Sequence, residues 1–283
     1  MKRIQAERIA KQYGKGDSAV TALNEVSFTI EAGEFVAVMG ESGSGKSTLL
    51  SIVGTLNSPT SGRIMVDDVD IYALEKDARA DFRRESIGFV FQNFNLISYL
   101  TLAENVMLPL ATIREKRAKK RSMALAALDR VGLSQKADRL PSQISGGEQE
   151  RVAIARAIVG RPPIILADEP TGNLDSKTGS EIMGIINTLN SEGMTIIMVT
   201  HNSFYAEYAN RVLRVADGLL TQGSQERPAG PEGIHIPGQF LPPPCDSGTG
   251  IAGRSSSSLR PAAGRLFTGG AESQPQCGGR LQS

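Results

Sequence analysis

Cysteine is nearly missing from this chain. Its 283 residues include two, Cys245 and Cys277, without metal-ligand spacing and remote from any motif. A disulfide framework or a zinc site is therefore not expected. An excess of one charge is missing as well: 31 Lys and Arg stand against 30 Asp and Glu, a formal net charge of +1. No global field draws the chain to nucleic acid or to an anionic membrane surface, and no nucleic-acid partner is expected. No apolar run approaches the ~18–20 residues that span a bilayer. The opening Met1-Lys2-Arg3-Ile4-Gln5-Ala6-Glu7 lacks the apolar centre of a signal peptide. The expected location is the cytoplasm, so in a membrane process another polypeptide has to supply the membrane part.

What is present changes character near Gln222. Before it, apolar runs alternate with helical patterns, as in one α/β domain. Val26, Phe28 and Ile30 alternate as in a half-buried strand, and Phe35 to Met39 is a compact apolar run. Ile87 to Phe91, Ile164 to Ala167 and Thr195 to Val199 read as further strands. Their continuous apolar character suits a buried, largely parallel sheet. The early strands, including Arg63 to Ile71, are expected to form an antiparallel layer. Lys46 to Thr55, Thr101 to Leu110, Arg114 to Val131 and Glu150 to Val159 read as helices. Arg114, Lys116, Arg117, Lys119, Lys120 and Arg121 open the third of these. Such a run could touch RNA or lipid headgroups, but a solvated helix face is the preferred reading. From Ser224 onward the chain is rich in Gly, Pro and Ser and has no core-forming period. It reads as a disordered tail, either a tether for a partner or an extension without function.

Three segments carry chemistry. Gly40-Glu41-Ser42-Gly43-Ser44-Gly45-Lys46-Ser47, followed by Thr48, fits G-x-x-x-x-G-K-S/T between a strand and a helix. Glycines there let backbone N–H groups approach phosphate oxygens. The helix start adds its positive end, Lys46 a full charge and Ser47 a hydroxyl for magnesium. Farther on, the apolar run Ile164 to Ala167 ends in Asp168 and Glu169. Adjacent residues of a strand point to opposite sides, which lets Asp168 hold a metal while Glu169 polarises a water. Between the two lies Ser145-Gly146-Gly147-Glu148-Gln149, a good N-cap with exposed amides and so a second anion-binding helix start.

In this order, the three segments resemble the ATP-hydrolysing subunit of an ABC transporter. The likeness covers roughly Met1 to Gln222. It implies an α/β P-loop NTPase fold with a mixed, mostly parallel core sheet, an N-terminal antiparallel β layer and an α-helical subdomain near 93–145, within a domain of 1–223. By this resemblance ATP and Mg2+ are the ligands. Gln92 is the Q-loop glutamine, touching metal or water, and His201 is the switch histidine at the γ-phosphate. Ser145 to Glu148 form the signature that closes on ATP held by a second copy. Asn173-Leu174-Asp175 resembles the D-loop, and Tyr13 the aromatic that stacks on adenine. The catalytic set is then Lys46, Gln92, Glu169 and His201, with metal ligands Ser47, Gln92 and Asp168. Glu41 departs from a proline frequent in the family, and Ile144 and Glu148 from leucine and glutamine.

Ser145 to Ala157 and Ala167 to Ser176 look most like the ATPases of macrolide exporters, lipoprotein-releasing systems and the cell-division pair. This implies a subunit that powers a separate integral membrane permease, for export or lipoprotein release, from the inner face of the membrane. The alternative is a mechanotransmitting ATPase that regulates a cell-wall or cell-division partner and moves no substrate. The coiled-coil inserts, zinc hooks or paired ATPase halves of DNA-repair and translation relatives are not visible.

Overall fold

The computed structural model describes residues 2–223; the tail expected at 224–283 lies outside the described residues. The strands are β1 Ile4–Tyr13, β2 Val20–Ile30, β3 Phe35–Met39, β4 Ser61–Val66, β5 Val69–Asp70, β6 Ile87–Val90, β7 Ile164–Asp168, β8 Thr195–Val199, β9 Arg211–Ala216 and β10 Leu219–Gly223. The helices are α1 Lys46–Val53, α2 Lys76–Ser86, α3 Leu102–Met107, α4 Arg117–Arg130, α5 Gly146–Ile158, α6 Ser176–Ser191 and α7 Ser203–Ala206.

A strand buried on both faces has to be apolar throughout, and β3 shows why. Its side chains alternate between two cores. Phe35, Ala37 and Met39 join the cluster built with α3 to α6. Val36 and Val38 join the cluster built with α1 and the N-terminal strands. β7 and β8 divide in the same way. The result is a six-stranded sheet in the order β10-β9-β3-β8-β7-β6. Its pairings are parallel except between β9 and β10. A four-stranded antiparallel sheet, β2-β1-β4-β5, forms a separate layer. Val26, Phe28 and Ile30 of β2 point from it into the core shared with α1.

Several expected boundaries are corrected. The helix expected over Thr101 to Leu110 stops at Met107 and tightens into a 3-10 turn at Leu108–Leu110. Pro109 lacks the N–H that would bond back to Asn105, which removes a rung there. Arg114 and Lys116 precede α4, with Lys116 extended as its N-cap. Of that basic run, Arg117 pairs with Glu104, Arg121 pairs with Asp138, and Lys120 bonds the Ala111 carbonyl. α1 ends at Val53 rather than Thr55, which takes a left-handed φ of 57°. β6 ends at Val90, and Phe91 instead stacks on Phe89 with ring centroids 4.8 Å apart. α5 begins at Gly146, directly after Ser145, and not at Glu150.

Candidate functional site

β3, β8 and β7 are neighbours and parallel, so the segments leaving their carboxyl ends emerge side by side. These segments carry the phosphate loop, His201 and Glu169. Backbone bonds continue beyond the strands: Thr200 N–H donates to Val38 O at 3.1 Å, and Glu169 N–H to Val199 O at 2.9 Å.

The loop closes on itself. Gly45, the N-cap of α1, has φ 107°, and a Cβ there would lie 2.3 Å from the carbonyl oxygen of Ala22. Gly40 is pressed equally close to the Val215 carbonyl. Glu41, Ser42 and Gly43 are exposed, whereas Ser44 and Lys46 are each 7% exposed. Lys46 Nζ donates to the Glu41 carbonyl at 2.6 Å, and Ser44 Oγ is buried without a partner. A buried ammonium, an orphaned hydroxyl and a helix start aimed into one loop fit a polyanion. Ser47 Oγ donates to Asp168 Oδ1 at 3.2 Å. That oxygen-only pair suits a hard cation such as magnesium. Burial pushes the Asp168 carboxyl above its usual range, with Ser47 and Lys46 opposing the shift and Glu169 adding to it. Tyr13, Ser47, Thr48 and Asp168 line one cavity of about 340 Å3. Tyr13 is 43% exposed there, with Lys11 Nζ 5.0 Å from its ring centre.

One geometric expectation is corrected. Asp168 and Glu169 diverge, but not as alternating residues of one strand. β7 ends at Asp168, and Glu169 takes a left-handed φ of 48°. This uncommon backbone turns the Glu169 carboxylate towards His201, whose Nδ1 lies 3.0 Å from Glu169 Oε2.

The signature segment lies elsewhere. None of its residues is among the described residues lining the cavity beside the phosphate loop. Ser145 caps α5 in a reciprocal box: its Oγ accepts from Glu148 N–H, and Glu148 Oε2 accepts from Ser145 N–H at 3.1 Å. A Cβ on Gly147 would lie 2.2 Å from Thr178 Cγ2, so this glycine lets α5 meet α6. Asp175 caps α6, its carboxylate accepting from the N–H groups of Lys177 and Thr178 and from Thr178 Oγ1. Gln92 is exposed two residues past β6, and its carbonyl accepts from Asn173 Nδ2 at 3.4 Å.

Two residues of α5 were not assigned roles from the sequence. Arg156 donates to the carbonyls of Phe94 at 2.5 Å and Asn95 at 2.6 Å, both in left-handed backbone just after Gln92. Glu150 is 1% exposed, with Oε1 lacking a partner. Burial pushes its carboxyl up to about 8, against the pull of Arg156. The folded state therefore holds a proton that the unfolded state releases between its ordinary value near 4.5 and about 8. This residue's contribution to stability worsens as pH rises through that window. We expect Glu150→Gln to raise the melting temperature by a few degrees at pH 8 and by clearly less at pH 5, measured by thermal denaturation. An equal gain at both pH values would contradict the account.

Residues 23–172 match the ABC transporter family. The chain is 45% identical over 219 residues to MJ1508 of Methanocaldococcus jannaschii, an uncharacterized ABC transporter ATP-binding protein; the match covers 77% of this chain and 98% of that protein. It is 47% identical over 217 residues to YvrO of Bacillus subtilis, described in the same words, with 77% and 95% covered. It is 43% identical over 227 residues to the macrolide export ATP-binding/permease protein MacB of Aggregatibacter actinomycetemcomitans, covering 80% of this chain but 35% of MacB. Among solved structures, a dimeric post-hydrolysis state of the ATP-binding cassette MJ0796 bound to ADP and Pi superposes with a TM-score of 0.74 at 43% identity, covering 79% of this chain and 99% of that one. With the motif order, the sheet topology and these likenesses in agreement, the chain belongs to the ABC transporter family as an ATP-binding cassette.

Proposed function

We propose that two copies of this chain bind two ATP molecules between them, hydrolyse them, and thereby drive a separate integral membrane permease for export or lipoprotein release. One observation carries the reading: of the two glycine-bearing helix starts read as anion sites, α1 and α5, α1 borders the Tyr13 cavity and α5 does not. The second start then serves a neighbouring copy, an arrangement supported by the dimeric cassette it resembles. In this reading Gly40 to Thr48 cradle the phosphates, and Tyr13 lies against the base. Ser47, Asp168 and Gln92 hold Mg2+, which supplies positive charge to the phosphate oxygens when bound. Glu169 takes the proton of the attacking water, with His201 holding its carboxylate and facing the terminal phosphate. The partner's Ser145 and its adjoining amides complete the enclosure, with the loop before Asp175 beside them. Phosphoryl transfer asks the protein for little beyond positioning and charge stabilisation, and these groups provide both.

The MacB relatives, named as ATP-binding/permease proteins, support a permease partner. Such a partner would hold this chain on the inner face of the membrane. The test is reconstitution of the chain with its membrane partner in vesicles. We expect a lipoprotein or a macrolide-like amphiphile to stimulate ATP hydrolysis severalfold. Stimulation by a cell-wall-acting partner alone, with no cargo effect, would replace transport by force transmission.

A further inference from the structure

The tip of α5 contains a conflict of charges. Glu148 closes the capping box, with Oε2 3.1 Å from Ser145 N and 3.4 Å from Ser145 Oγ. A carboxylate in the first turn of a helix stabilises that helix. It also cancels the positive end that would attract a phosphate. Here it lies one hydroxyl away from the surface that the two-copy reading offers to a triphosphate.

We propose that Lys136 is a positioning residue that neutralises Glu148, so that the α5 tip keeps its cap and still accepts the nucleotide phosphates held by the partner copy. This rests on the two-copy reading above. Lys136 ends the 3-10 turn Ser134–Lys136, outside α5, and its ammonium pairs with Glu148 Oε1. The two oxygens of Glu148 thus divide their work: Oε2 holds the helix start and Oε1 meets the counter-charge. The pair is partly withdrawn from water, with side-chain exposures of 35% for Lys136 and 15% for Glu148. Glu148 Oε2 lies 3.4 Å from Ser145 Oγ, well inside a Debye length, so removing the ammonium leaves a carboxylate whose field reaches that hydroxyl. The Lys136 pair is also the largest cause holding the Glu148 carboxyl below its usual range, with Arg151 a smaller contributor in the same sense. The carboxylate is therefore ionised at neutral pH, and its charge has to be met. A glutamine would cap without a charge. The Glu–Lys pair instead makes the tip depend on a residue packed next to α4.

The test measures ATP-driven dimerisation by sedimentation, in full chains carrying Glu169→Gln to slow hydrolysis. Lys136→Ala should raise the ATP concentration needed for half-dimerisation about tenfold. Lys136→Arg should hold it within twofold of the parent. In chains that also carry Glu148→Gln, adding Lys136→Ala should change it less than twofold. Melting curves without nucleotide show whether each variant folds; Lys136→Arg and the paired substitutions keep the comparison usable if Lys136→Ala alone melts early. A similar loss in both backgrounds, or no loss in either, overturns the inference and leaves the two-copy reading intact. Failure of the Glu169→Gln parent to dimerise on ATP defeats that reading and the inference with it.

Discussion

Glu169→Gln is expected to lower ATP turnover by about 10²–10⁴-fold, the usual contribution of one positioned general base, while ATP binding persists. The left-handed backbone at Glu169 and the 3.0 Å approach to His201 Nδ1 fix where its side chain ends. Glutamine matches glutamate in shape and can still bond the imidazole, so the pocket should keep its form. What is lost is the basicity needed to take a proton from water. The variant should therefore bind ATP, fail to discharge it, and accumulate as an ATP-loaded dimer. Steady-state hydrolysis and sedimentation with ATP measure the two halves of this expectation. Turnover near that of the unaltered chain would remove Glu169 as the water activator.

Gly45→Ala is expected to reduce ATP affinity by at least about 100-fold, for two reasons that add. An alanine at φ 107° is strained. Its methyl would also sit 2.3 Å from the Ala22 carbonyl oxygen and 3.0 Å from Leu23 Cδ2, so β2 or the start of α1 has to give way. Either shift moves Lys46 and Ser47, the next two residues. The melting temperature should fall by a few degrees as well. Fluorescent-nucleotide titration measures the affinity, and an unchanged value would show that the loop geometry does not depend on this glycine.

The parts of the site that were legible in the sequence are those whose chemistry needs one residue type at a fixed spacing. The run Gly40 to Ser47 needs its glycines wherever backbone meets phosphate, and Ile164 to Ala167, apolar throughout, short and preceded by Pro162-Pro163, reads as a buried strand. Ser145 as an N-cap was equally direct, because the cap is local. The kink at Glu169 was not legible: a left-handed non-glycine residue is imposed by surroundings and leaves no mark on composition. The grip of Arg156 on Phe94 and Asn95 was hidden for another reason, since it joins residues more than sixty positions apart. α2 was missed because the charged run Lys76–Ser86 fully buries only Ser86 and packs only Phe82 of its large apolar side chains against the core, too little for an apolar stripe to read. β9 and β10 were missed because arginines and short apolar pairs blur the alternation over Arg211–Ala216.

The grip of Arg156 has a consequence for how the cassette can move. Ser145 and Arg156 sit at opposite ends of one helix, ~16 Å apart at 1.5 Å per residue. Its middle, Val152 to Ala155, is buried, which stiffens the rod. One end faces outward from the cavity of its own copy; the other fastens the segment just beyond Gln92. In the two-copy reading, a tilt of this rod on meeting a neighbour would pull on the Gln92 segment through Arg156. On that reading, engagement of a neighbour and the setting of Gln92 would thus be mechanically tied through one helix.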